Sequence, residues 1–184
     1  MNVLGKKILL RAIEENDLPL LRDMLNSPEM EGNVVGWSLP VSEKLQNEWY
    51  ARSLTDQNSI RLIIDLKQYG SVGLVTLHDL NWKNRSASVG IKISNKYRSL
   101  GIGTDAVMAI MRYAFDELGL HRLESTVFDD NVASINLFKK CGWFVEGTKR
   151  EAVYKAGRFR NLHVIGILVN DYRSLVCKTN YWNE

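Results

Sequence analysis

Arg98-Ser99-Leu100-Gly101-Ile102-Gly103-Thr104 stands between a stretch that alternates apolar and polar residues and a stretch with helical periodicity. On its N-terminal side, residues 86–93 place Ala87, Val89, Ile91 and Ile93 on one face and Ser86, Ser88, Gly90 and Lys92 on the other, the pattern of a half-buried strand. On its C-terminal side, Ala106, Val107, Ile110, Met111, Ala114, Phe115 and Leu118 recur along one helical stripe, and Gly119 follows where a helix commonly ends. A glycine-rich turn that opens a helix can converge several backbone N–H groups on one anion, and the helix dipole adds partial positive charge there. From spacing alone the segment is either a diphosphate cradle or a glycine-rich corner that binds nothing, because short Gly-x-Gly matches are common.

Working outward, residues 123–128 read as a strand, after which Asp130 or Asn131 caps a short helix that runs to Lys140 and stops at Gly142. Two further strands, about 143–154 and 158–169, are joined by a turn at Lys155-Ala156-Gly157. Upstream, residues 60–64 and 72–77 form an expected antiparallel hairpin turning at Gln68-Tyr69-Gly70. Residues 7–13 suggest a first strand, and Asp17 offers an N-cap to a helix carrying Leu18, Leu21 and Leu25 that ends by Ser27-Pro28. Gly32, Gly36 and Pro40 break any periodicity between Glu29 and Val41, so that stretch reads as a loop, and Ser42 then caps a helix to about Leu54. The resulting order, β-α-α-β-β-β-α-β-α-β-β, is a mixed α/β layer with one crossover helix in its middle.

A chain of 184 residues, 45% hydrophobic, is long enough to bury a full core, and residues 1–184 are expected to form one domain. With 24 Lys+Arg against 21 Asp+Glu the net charge is +3, too mild and too evenly spread to mark a nucleic-acid binder. The longest apolar run, Val164-Ile165-Gly166-Ile167-Leu168-Val169, falls far short of the roughly 18–20 residues of a membrane span. Ile8-Leu9-Leu10 is too short for the apolar centre of a signal peptide, so a cytoplasmic location is expected, with neither membrane nor nucleic acid as partner. Cys141 and Cys177 read as free thiols, and His78, His121 and His163 lack metal-ligand spacing, so no metal is expected.

Gly101, Gly103 and Ala106 also satisfy Gly-x-Gly-x-x-Ala, the dinucleotide fingerprint. Position weighs against that alternative, because dinucleotide-binding glycines follow the first strand directly, whereas here an antiparallel hairpin and about half the chain come first. Asp129 or Asp130 loosely matches the expected acidic residue, so the alternative stays open at this point.

Arg98-x-x-Gly101-x-Gly103 resembles the acetyl-CoA motif (Gln/Arg-x-x-Gly-x-Gly/Ala) of the GNAT superfamily of N-acetyltransferases. Asn131-Val132-Ala133-Ser134-Ile135, followed by Lys140-Cys141-Gly142-Trp143, is similar to the family's second cofactor segment. Glu146-Gly147-x-x-Arg150 and Tyr154-x-x-Gly157 resemble the branch containing ribosomal-protein N-terminal and spermidine acetyltransferases, and Leu10-Arg11-Ala12 with Asp17 extends the likeness over nearly the whole chain.

The resemblance implies a splayed, mixed, mostly antiparallel sheet flanked by helices, with acetyl-CoA as co-substrate lying between the strands that end near Ile93 and Phe128. Backbone groups of Ile91 and Ile93 would bond the pantetheine, the amides of Ser99, Leu100, Gly101, Ile102, Gly103 and Thr104 with Arg98 would hold the pyrophosphate, and Asn131 and Ser134 would lie beside the cofactor. Asn131 serves equally as a helix cap, and the two roles are compatible. The activity implied is acetyl transfer to a primary amine, whether protein N-terminus, polyamine or amino sugar, and a homodimer is compatible with it; the alternative is a non-catalytic CoA-binding regulatory module.

Two departures bear on catalysis. Where members of this branch often carry a Glu base two residues ahead of the strand glycine, this chain has Ser88, a poor base that can order a water; where many carry a Tyr acid it has Phe138. Glu29 and Glu31 in the early loop, Trp37 and Tyr154 are the remaining candidates for the acceptor groove, against the plainer readings of solvated surface for the glutamates and lid packing for Trp37. Glu124, at a strand start, is expected to pair with a neighbouring basic residue.

Overall fold

The computed structural model describes residues 1–36 and 39–183, so Trp37 lies outside the described residues. Among the described residues eight strands form one sheet in the order β1-β2-β3-β4-β5-β6-β8-β7. They are β1 (Val3–Leu4), β2 (Ile8–Arg11), β3 (Ile60–Leu66), β4 (Gly70–Asn81), β5 (Ser86–Ile93), β6 (Arg122–Phe128), β7 (Phe144–Lys155) and β8 (Arg158–Leu168). Neighbours pair antiparallel throughout, except β5 and β6, which are parallel. A parallel pair needs a crossover. It is supplied by α4 (Ile102–Arg112), continued by a π-helical turn Tyr113–Glu117 and closed by Gly119 at φ +65°. This is the mixed, splayed, mostly antiparallel sheet that the family resemblance implied.

Helix α4 is buried along almost its whole length because it packs Ala106, Val107, Ile110 and Met111 onto the apolar face of β4, β5 and β6, where Val75, Leu77, Ala87, Val89 and Leu123 meet it in one cluster. On the opposite side of the sheet, α1 (Leu18–Asn26) and α3 (Glu43–Ser53) cover a smaller cluster of Ile13, Leu18, Leu21 and Ile63, against which Trp49 and Tyr50 pack. Ser42 caps α3 as expected, its hydroxyl accepting from Leu45 N at 3.3 Å. Asn131 caps α5 (Val132–Lys140), which ends at Gly142 with φ +84°.

Several expectations need correction. The stretch read as a loop opens with a short helix, α2 (Pro28–Asn33): Ser27 Oγ accepts from Met30 N at 3.4 Å and Pro28 fills the first helical position, where its missing N–H costs nothing. Asp17 does not cap α1 with its side chain; its carboxylate accepts from Arg11 at 2.7 and 2.9 Å and from Glu14 N at 2.9 Å, tying β2 to the turn before the helix. The C-terminal helix α6 (Val169–Thr179) was not anticipated, because the apolar run of β8 carries straight into it; Tyr172, Leu175 and Val176 return its apolar stripe to the core. The two-residue β1 was also missed. No helix among the described residues is long and apolar enough to cross a membrane, and both cysteines are free.

Candidate active site

Strands β5 and β6 pair over only three positions, Ser86↔Arg122, Ala87↔Leu123 and Ser88↔Glu124, and then part. Ser125 Oγ donates to Val89 O at 2.7 Å just past the last pair. Beyond it, among the described residues, the β6-facing edge of β5 has no strand partner for backbone groups that a sheet would normally satisfy. The gap opens into a cleft with two lobes.

The larger lobe, about 660 Å³, is lined by nine of the expected cofactor residues: Ile91, Ile93, Arg98, Ser99, Gly101, Gly103, Thr104, Asn131 and Ser134. Ser99 at φ +64° and Gly101 at φ +79° both adopt the left-handed conformation, and Gly101 is the N-cap of α4. Alternating backbone of this kind turns successive N–H groups to one side, and the first amides of a helix have no acceptor within it. Leu100 points to solvent and Ile102 into the core, so these two belong to the turn through their backbone only. The Lys7 ammonium lies 3.6 Å from where a Cβ on Gly101 would stand, adding a cation at the mouth of the turn.

Buried Asp105, on the first turn of α4, fixes this end of the cleft. Its carboxylate accepts from the backbone N–H groups of Lys6, Lys7 and Ile8 at 2.8, 2.6 and 3.1 Å, and from the Tyr181 hydroxyl at 3.2 Å. Burial, followed by the Asp105 charge, raises the Tyr181 phenol well above its ordinary range, so it remains a donor. The glycine turn is thus fastened to the β1–β2 turn and to the C-terminal segment.

The smaller lobe, about 550 Å³, contains Ser88, His78, Asp79, Glu124, Lys92 and Lys149 and meets the larger lobe at Asn33, Val34, Ile91, Lys92, Asn131 and Ser134. Ser88 pairs in register with His78 on one side and Glu124 on the other, so all three side chains share this face of the sheet. A Cβ on Gly90 would stand 2.7 Å from Thr76 Oγ1 and 3.8 Å from His78 Cε1; glycine there leaves room for the imidazole to lean into the lobe. His78 Nε2 lies 3.7 Å from Asp79 Oδ2. Glu124 pairs with Arg122 at 3.3 Å, as expected. Burial pushes the Lys92 ammonium below its ordinary pKa, Glu31 opposes that and Lys155 adds to it.

The segment after Ser27 forms a strap over the cleft. Glu29 is held by Arg98 of the cradle at 3.0 Å and by Asn95, and Glu31 by Lys155 at 2.8 Å. Lys155 also donates to the carbonyls of Val34 and Gly36, and Arg160 to Gly32 O at 2.8 Å. Both glutamates are therefore matched by cations rather than free. Tyr154 stands exposed on the β7–β8 hairpin, edge-on to Phe159 at 5.2 Å, and lines neither lobe. Phe138 is buried edge-on to Trp143 at 4.8 Å and closes the floor of the smaller lobe without a hydroxyl.

Sequence reasoning missed His78 and Lys92 as site residues. Lys92 left a signal, a lysine on the polar face of the clearest strand, whereas His78 is brought in by the β4–β5 register.

A family model described as "Acetyltransferase (GNAT) domain" matches residues 7–143. The chain belongs to the GNAT acetyltransferase family. A spermidine N(1)-acetyltransferase from Vibrio cholerae is 25% identical over 169 residues, covering 92% of this chain and 97% of that protein. A putative ribosomal N-acetyltransferase from Bacillus subtilis is 30% identical over 133 residues, covering 71% and 70%. The crystal structure of the Vibrio cholerae spermidine N-acetyltransferase with CoA and spermine superposes with a TM-score of 0.85 at 25% identity, covering 92% of this chain and 99% of that one. GNAT membership removes the dinucleotide alternative, as does the antiparallel hairpin β3–β4 lying ahead of the glycine turn.

Proposed function

We propose that the cleft brings acetyl-CoA and a primary amine together from its two lobes and transfers the acetyl group at their junction. The observation that carries this is the parting of the parallel pair after Ser88 and Glu124, with the left-handed turn of Ser99 and Gly101 opening into the same cleft. The amides of 99–104 and the Arg98 side chain suit the pyrophosphate, and the unpartnered edge of β5 at Ile91 and Ile93 suits the pantetheine.

The amine nitrogen must be neutral to attack the thioester carbonyl; the N–C bond forms, the C–S bond breaks and the thiol leaves with a proton. With Ser88 where members of the branch it resembles often carry Glu, the proton acceptor in this reading is His78, reached directly or through a water held by Ser88, because imidazole is the side chain best suited to take a proton near neutral pH. Asp79, 3.7 Å away, would steady the imidazolium. A backbone N–H on the free edge of β5 would serve the oxyanion, and holding the two reactants together would account for much of the rate.

Thiol release from acetyl-CoA, followed with a panel of amines, tests this. Amine-dependent release is expected. Tight acetyl-CoA binding with no release for any amine would overturn it in favour of a non-catalytic CoA-binding module, the alternative that Ser88 and Phe138 favour.

A further inference from the structure

The charges around the smaller lobe are unevenly matched. Glu31, on the strap above it, is held by Lys155 at 2.8 Å, Glu124 shares Arg122 with Glu146, and Asp79 lies 3.7 Å from His78. Lys92 and Lys149 also line the lobe, and among the described residues neither side chain makes an ion pair or a hydrogen bond. Lys92 lies at the junction of the two lobes, half-buried on the face of β5 that carries Ser88.

From this pattern we infer that the acetyl acceptor is an amine that carries its own anionic group, a carboxylate or a phosphate, and that Lys92 holds that group while the amine faces Ser88 and His78. The inference rests on the acetyl transfer proposed above and names its substrate class. A half-buried ammonium with no anion of its own, Glu31 being held by Lys155, is a destabilising arrangement that a bound carboxylate or phosphate relieves. The depressed basicity of Lys92, owed first to burial, is the mark of that incomplete compensation, since Glu31 is shared with Lys155. A polyamine carries no such group, and its second and third ammonium groups would enter a lobe that already holds the ammonium groups of Lys92 and Lys149, where like charges in a partly dry site repel.

The test compares kcat/KM for matched acceptors on the folded wild-type protein with saturating acetyl-CoA. L-Alanine is set against L-alaninamide, 2-aminoethyl phosphate against ethanolamine, and spermidine is measured beside them. Whichever anionic member is used should exceed its neutral partner by about tenfold or more, mainly through KM, as expected for a charge-assisted contact made in ground state and transition state alike. The alanine pair and the phosphate pair separate the two anion sources. In Lys92→Met the ratio should collapse toward unity, and Lys92→Glu should invert it in favour of spermidine. Preference for spermidine by the wild type, equal use of charged and neutral partners, or an unchanged ratio in Lys92→Met would overturn the inference alone. Failure to acetylate any of these amines would overturn the transfer reading itself and the inference with it.

Discussion

At Gly101 a φ of +79° at the N-cap of α4 turns the chain so that amides face the cleft. Alanine in that conformation carries a strain of roughly 1–2 kcal/mol, so Gly101→Ala should weaken acetyl-CoA binding, read by calorimetry, about tenfold while the far-UV spectrum is kept. Gly103 is a less clean probe: a Cβ there would stand 3.2 Å from Leu137 Cδ2 and 3.3 Å from Ile93 Cδ1, so a larger side chain would wedge α5 away from β5 as well as crowd the ligand. Across the cleft, Ser88→Ala should cost modestly and His78→Gln more, with the loss read as kcat/KM against pH; equal, small effects of both would remove His78 from the proton path. The turn that opens α4 was legible in the sequence because Gly101, in left-handed backbone at its N-cap, leaves a glycine motif. In the smaller lobe Ser88 was legible and His78 was not. His78 faces Ser88 only because β4 and β5 pair Thr76 with Gly90, and a one-residue slip would turn it to the other face.

Among the elements, α4 depends on an anchor that no local pattern announced. Asp105 satisfies three backbone N–H groups of the β1–β2 turn, about a hundred residues away in the chain, along with the Tyr181 hydroxyl. Asp105→Ala would strand these donors at about 1–3 kcal/mol for each that stays dry, so thermal unfolding should show a loss of roughly 2–3 kcal/mol. An unchanged melting temperature would mean that the turn finds water instead. Strands and helices with strong periodicity, β5 and α4 above all, could be read directly. By contrast α2 is too short for a period to register, and α6 follows β8 with no breaker between Leu168 and Val169, so local signals could not divide them.

For the whole molecule, the parting of β5 from β6 couples fold to function: the sheet gives up its own pairing in the middle and leaves a cleft that a ligand can complete. The strap from α2 joins the cradle through Glu29–Arg98 and the β7–β8 hairpin through Glu31–Lys155, so both lobes are spanned by one segment. A ligand that binds only the folded state adds stability by mass action, about 2.7 kcal/mol at a hundred times its Kd. The most direct measurement of the central claim is therefore the melting temperature of the wild-type protein titrated with acetyl-CoA, with CoA and NAD in parallel. A saturable rise is expected with acetyl-CoA and CoA and none with NAD. A rise with NAD alone, or no response to acetyl-CoA at saturating concentration, would contradict it.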